Sequence, residues 1–181
     1  LSVALPDDAT RAAGADSALG GVSNVDMTQY DIRFILEVYD ENGVLAKERM
    51  VNYTDARETS FQLRLVPGRA YNFVVWADFV LENSQADLYY DTDVKGADGK
   101  SRGLRNVQVI DDNWDAIIEA RDAYTDVFTV HNFSSTSTID MTLTRPFAKL
   151  RVVTNDIDEM ISVRPAEVKV TYFNTKFYTT F

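Results

Sequence analysis

Of the side chains most used for both acid–base and metal chemistry, the chain has one histidine, 28 acidic residues and no cysteine. His131 sits in an alternating segment without a second histidine to act with, so a solvated or core-edge ring is expected rather than a general base or ligand. Asp91-Thr92-Asp93 followed by Gly96 has the opening of a calcium loop. Lys95 stands where a third oxygen ligand is needed and Arg102 where the closing carboxylate belongs, which points to a solvated loop. Asp111, Asp112 and Asp115 suit the cap and first turn of a helix. A glycoside hydrolase needs two carboxylates facing across a cleft, and acidic residues spread over every loop single out no pair. Gly-x-Ser-x-Gly, His-Glu-x-x-His and phosphate-cradling glycine loops are absent. No catalytic, metal-binding or cofactor-binding residue is therefore assigned, and no cofactor is expected. Tyr89, Tyr90, Trp114 and Tyr124 could stack on sugars, which makes a surface carbohydrate-binding module the alternative function. Their ordinary explanation is packing against the sheet.

Composition narrows the partners. A formal charge of −10 disfavours nucleic acid, which needs a basic face, and an anionic membrane surface. No apolar run approaches the roughly 18 residues of a membrane span. The chain opens at Leu1 without an initiator Met, as a processed or recombinantly trimmed product would.

The elements that must position any site read as strands. Leu1, Val3 and Leu5 share one face of a leading strand, which Pro6-Asp7-Asp8 ends. Residues 9–23 are rich in Ala, Gly, Ser and Asp without a core-forming period, so residues 1–23 are a leading strand and flexible linker. Residues 24–181 form the β-sandwich domain, with a further C-terminal domain expected beyond it. Ile32, Phe34, Leu36 and Val38 alternate with Asp31, Arg33 and Glu37. Asn42-Gly43 makes a hairpin turn to a weaker strand over 44–51, plausible at a sheet edge. Phe61, Leu63 and Leu65 predict another strand, closed by Pro67-Gly68. Residues 71–77 are apolar on both faces, as a central strand would be. A polar excursion over 82–109 includes a short strand at 88–90, and Trp114, Ile117, Ile118 and Arg121 mark a short helix. Strands follow over 127–131, 138–144, 147–154, 168–172 and from 176. The fold class is all-β: a two-sheet sandwich with one short helix in a long mid-chain insertion.

Several phrases carry a resemblance. Tyr30-Asp31-Ile32-Arg33-Phe34, Leu65-Val66-Pro67-Gly68-Arg69-Ala70-Tyr71, Val74-Val75-Trp76-Ala77-Asp78 and Met141-Thr142-Leu143-Thr144-Arg145-Pro146-Phe147-Ala148-Lys149-Leu150 together resemble the N-terminal domain of Bacteroidetes fimbrillin-like proteins. That resemblance implies a transthyretin-like Greek-key sandwich, exported as an outer-membrane lipoprotein anchored through an upstream cysteine. It implies a non-enzymatic, adhesive or structural role in a cell-surface fimbrium, as a pilus subunit or anchor. Leu1, Val3 and Leu5 would form the strand-exchange segment, and Arg11-Ala12 the proteolytic processing bond. Other pilus subunits would be partners through donor-strand insertion, beside a host or bacterial surface ligand. Asp16-Ser17-Ala18 fits a short O-glycosylation pattern of this group, making Ser17 a possible glycosylation site.

Overall fold

The structure is a computed structural model and describes residues 1–6, 25–110, 119–134 and 138–146. Arg11, Ala12, Ser17, Trp114 and the strands expected from Phe147 onward lie outside the described residues. The described chain is almost entirely β, in a sandwich-like arrangement of sheets whose pairings are antiparallel apart from one parallel pair in the smaller sheet. No helix among the described residues is long and apolar enough to cross a membrane.

The larger sheet contains β2 (Tyr30–Asp40), β3 (Leu45–Thr54), β5 (Tyr71–Leu81) and β8 (Ala123–Val130), in the order β3-β2-β5-β8. β2 and β5 pair over their whole lengths, from Tyr30↔Leu81 to Asp40↔Tyr71. β5 lies inside the sheet because both of its faces are apolar, and β2 lies beside it with its polar face covered by the excursion over 82–110. β3, charged at Lys47, Glu48 and Arg49, takes an edge, where such residues discourage unwanted pairing. The Asp40–Gly43 turn is closed by the Gly43 N–H donating to Asp40 O at 2.9 Å, with Gly43 at φ +71°.

The smaller sheet contains β1 (Ser2–Ala4), β4 (Glu58–Ser60) and β9 (Asp140–Thr142), in the order β4-β1-β9. Val3, Leu5, Phe61, Met141 and Leu143 share one buried cluster with Phe34, Phe73, Val75 and Trp76 of the larger sheet. Thr125 and Thr144 exchange backbone hydrogen bonds of 2.8 and 3.1 Å, joining the edge of the larger sheet to the end of β9.

The excursion over 82–110 contains a two-stranded ribbon, β6 (Tyr90–Asp91) with β7 (Gln108–Val109), and a 3-10 turn at Gly103–Asn106. It packs on the sheet rather than standing in water: Tyr89, Tyr90, Leu104 and Val107 are buried, and Tyr90 meets Trp76 edge-on at 5.3 Å. This layer explains why Arg33 and Glu37, the polar residues of β2, are buried. Each is paired, as burial of a charge requires. Arg33 grips both oxygens of Asp78 at 2.8 and 2.6 Å and reaches Asp87 in the excursion at 2.6 Å. Glu37 accepts from the Tyr39 hydroxyl and from the Leu104 N–H at 2.8 Å, with Arg49 at 3.5 Å.

Two consequences are measurable. Gly103 holds φ +57°, and a Cβ there would lie 2.5 Å from Glu37 Oε2. Gly103→Ala is expected to lower stability by about 1–3 kcal/mol, read from the urea midpoint, because it strains the backbone and displaces a buried carboxylate. The second concerns alkali. Burial, with a hydrogen bond to Tyr30, pushes the Tyr89 phenol up to about 12. Burial also raises Tyr90, and burial together with the Glu37 hydrogen bond raises Tyr39. A phenol that ionises later in the folded than in the unfolded chain contributes its stability in full below the unfolded value of about 10. That contribution disappears as the pH climbs from there through the folded values. Stability should therefore hold up to about pH 9–10 and fall above it, with these phenols ionising only as the chain unfolds. Phenolate absorbance followed beside circular dichroism checks this, and Tyr90→Phe should shift the alkaline transition.

Two sequence expectations need correction. Phe61, Leu63 and Leu65 alternate as foreseen, with Phe61 buried and Gln62 and Arg64 exposed, yet past Phe61, which bonds with Leu1, residues 62–65 belong to no ladder. β4 ends at Ser60 because the strand beside it, β1, is only three residues long. The sugar-stacking platform fails for Tyr89, Tyr90 and Tyr124, which are 6%, 0% and 2% exposed and so cannot offer their faces to a ligand. Of the foreseen helix, only Glu119–Arg121 is described, as a 3-10 turn.

Candidate functional site

The feature with the clearest potential for function is the seat of the leading strand. β1 is the middle strand of its sheet: antiparallel to β4, with Ser2↔Ser60 and Ala4↔Glu58, and parallel to β9, with Ser2↔Asp140 and Ala4↔Thr142. Its backbone is bonded on both sides. Towards β4, the Leu1 nitrogen donates to Phe61 O at 2.9 Å, the Phe61 N–H donates to Leu1 O at 2.8 Å, and the Leu5 N–H donates to Arg57 O at 2.8 Å. Towards β9, the Ser2 N–H donates to Ile139 O at 2.7 Å and the Leu143 N–H donates to Ala4 O at 2.9 Å. Arg57 adds a side-chain bond to Pro6 O.

The side chains follow the period of two read from the sequence. Val3 is 0% and Leu5 4% exposed, and Leu1 is partly buried against the same core. Leu1, Val3 and Leu5, the residues expected from the sequence to form an exchangeable strand, are thus brought together on one face. Without β1, two ladder edges and an apolar slot between the sheets would meet water. Burying Leu1, Val3 and Leu5 contributes roughly 1.5–3 kcal/mol for each fully buried side chain.

Beyond Leu1 the slot opens into a groove of about 490 Å³, lined by Leu1, Leu63, Leu65, Phe73, Phe133 and Ile139 among others. The sequence pattern at 61–65 contained this signal, an alternation without a ladder partner, but it reads as an ordinary strand when taken alone.

The remaining candidates lie apart from the slot. His131 is exposed just past the end of β8. Asp93 is engaged within its own loop by Lys95 and Ser101. Partial burial works against the charge of Asp93, but those two hydrogen bonds prevail and hold its carboxyl below the ordinary carboxylate range. Arg102 pairs with Asp98 at 3.0 Å, so both basic residues that interrupt the calcium pattern serve as ion-pair partners inside the loop. Arg145 pairs with the buried Asp122 and lies over the Tyr124 ring at 5.7 Å. It anchors the chain where β9 ends.

A profile of a family of unknown function, DUF6562, matches residues 1–181. No curated protein and no solved structure matches the chain.

Proposed function

Because the chain belongs to DUF6562, a family without an assigned function, we propose its role from the geometry: a non-enzymatic cell-surface subunit or anchor of a bacterial pilus, assembled by β-strand addition. The observation that carries this reading is the place of β1. A three-residue strand at the start of the chain is bonded on both sides and plugs an apolar slot. Only residues 7–24 tie it to the next described segment. A short strand so seated leaves through a single event, and the two edges it exposes recruit another strand. The same backbone bonds and apolar burial then re-form between chains, which is the chemistry of a strand-linked fibre. The resemblance to fimbrillin-like proteins in the segments around Trp76 and Arg145 supports the same reading. It adds export, a lipid anchor at the outer membrane, Arg11-Ala12 as the bond cut to release β1, and neighbouring subunits as the partners. Ser17, in the same linking segment, is the proposed glycosylation site.

Limited digestion with an arginine-specific protease tests the proposal. The expected result is a cut after Arg11, loss of the leading peptide and a shift from monomer to higher species in size-exclusion chromatography with light scattering. A chain that loses the peptide and stays monomeric, with unchanged thermal stability, would overturn it.

A further inference from the structure

The slot is longer than the strand that occupies it. Past Phe61, Gln62 and Arg64 remain exposed while Leu63 and Leu65 are partly buried, so the alternation of a strand continues for four residues. Among the described residues, no backbone hydrogen bond reaches 62–65. The β1–β4 ladder runs directly to this point, ending in the mutual bonds of Leu1 and Phe61. The groove of about 490 Å³ lies beside it, lined by the whole 62–65 segment, Gln62 and Arg64 included, and by Phe73, Phe133 and Ile139. These peptide groups, left to solvent along a largely apolar trough, can pair with another extended chain whose side chains fill it.

We infer that this groove binds an extended segment of a separate polypeptide, one that runs on past the position of Leu1 and carries large apolar residues there at alternate positions with an acidic residue between them. The inference rests on the strand-exchange reading above and specifies which strand is accepted. The antiparallel register Ser2↔Ser60 sets the pattern. The residue two before the place of Leu1 faces Leu63, and the residue four before it faces Leu65; both side chains point into the groove. The residue three before it stands opposite Arg64 on the solvent side. Arg64 is exposed and has no ion-pair partner among the described residues, so a carboxylate is favoured opposite it. An incoming strand of this pattern covers everything β1 covers and the groove as well, and so displaces the resident rather than merely equalling it.

The test uses the intact chain, folded with a specific protease site inserted between residues 8 and 23 and then nicked, so that the leading peptide is held only by its seat. Two labelled peptides of equal length are compared: Val-Glu-Val-Ser-Leu-Ser-Val-Ala-Leu, and a control in which the first four residues are all Ser. The first should bind at least about tenfold more tightly, the factor equivalent to about 1.4 kcal/mol. Leu63→Asp and Leu65→Asp should each erase that advantage while leaving binding of the control unchanged. Equal binding of the two peptides overturns this inference and leaves the strand-exchange reading standing. Failure of both peptides to bind overturns the reading beneath it. Self-association of the intact, un-nicked chain that Leu63→Asp abolishes would put a folded second copy in the groove, and competition by decanoate alone would make it a lipid pocket; either result overturns the inference.

Discussion

Arg33→Ala is expected to cost about 3–5 kcal/mol of folding free energy, read as a fall in urea midpoint at constant slope. The guanidinium is 3% exposed and supplies two hydrogen bonds to Asp78, itself 1% exposed. Burial pushes the Asp78 carboxyl upward and disfavours its charge, and Arg33 is the group that offsets this. Burial also opposes the Arg33 charge, but Asp78 and Asp87 raise its pKa overall, so the guanidinium stays charged against Asp78. Removing the cation leaves a carboxylate with no charge partner inside the protein, which costs more than the pair itself contributes. The loss should shrink towards acid pH, where Asp78 takes a proton instead. Arg33→Met with Asp78→Leu should recover most of the stability, since apolar residues of similar volume need no partner. A double variant as unstable as Arg33→Ala would show that the excursion depends on the Asp87 contact and not on neutralising Asp78.

The second large effect falls on the leading strand. Val3→Asp places a carboxylate at a position 0% exposed, between β4 and β9. A buried charge without a partner costs several kcal/mol, comparable to everything that holds a strand this short. The strand is therefore expected to leave its seat while the larger sheet persists. Binding of a hydrophobic dye should rise, the thermal midpoint should fall by many degrees, and species larger than a monomer should form. Added Leu-Ser-Val-Ala-Leu peptide should restore the midpoint in a concentration-dependent manner, because a ligand of the folded state stabilises it by mass action. Ser2→Asp, on the partly exposed face, should do little. If Val3→Asp unfolds the whole chain and the peptide restores nothing, β1 is an inseparable part of the core and not an exchangeable plug.

Much of this architecture is written in local pattern. The alternation at 32–38, the two apolar faces of 71–77 and the Asn42-Gly43 turn each demand one local structure, and the larger sheet follows from them. Val3 and Leu5 were identifiable as core residues for the same reason, since period-two burial depends on nothing distant. What pattern could not reveal depends on contacts across the chain. Arg33 and Glu37 look like a solvent face until the excursion, some fifty residues later, is laid over them. The excursion in turn looks like a polar loop until Tyr90 meets Trp76. Leu63 and Leu65 have the alternation of a strand, and only the length of β1 shows that nothing is paired there. The candidate site was legible as a strand, but not as a slot.

A reversible lock on β1 tests the central claim most directly. Ser2 and Ser60 are register partners next to the mutually bonded pair Leu1 and Phe61, a position whose Cα separation suits a disulfide, and the chain has no cysteine of its own. In the Ser2→Cys, Ser60→Cys variant, digestion at arginine should leave the oxidised chain monomeric with its leading peptide attached. Adding reductant should release that peptide and produce oligomers, as monitored by mass spectrometry and light scattering. Oligomers that form equally well with the disulfide intact would contradict the account, because assembly would then not require the seat of β1 to be vacated.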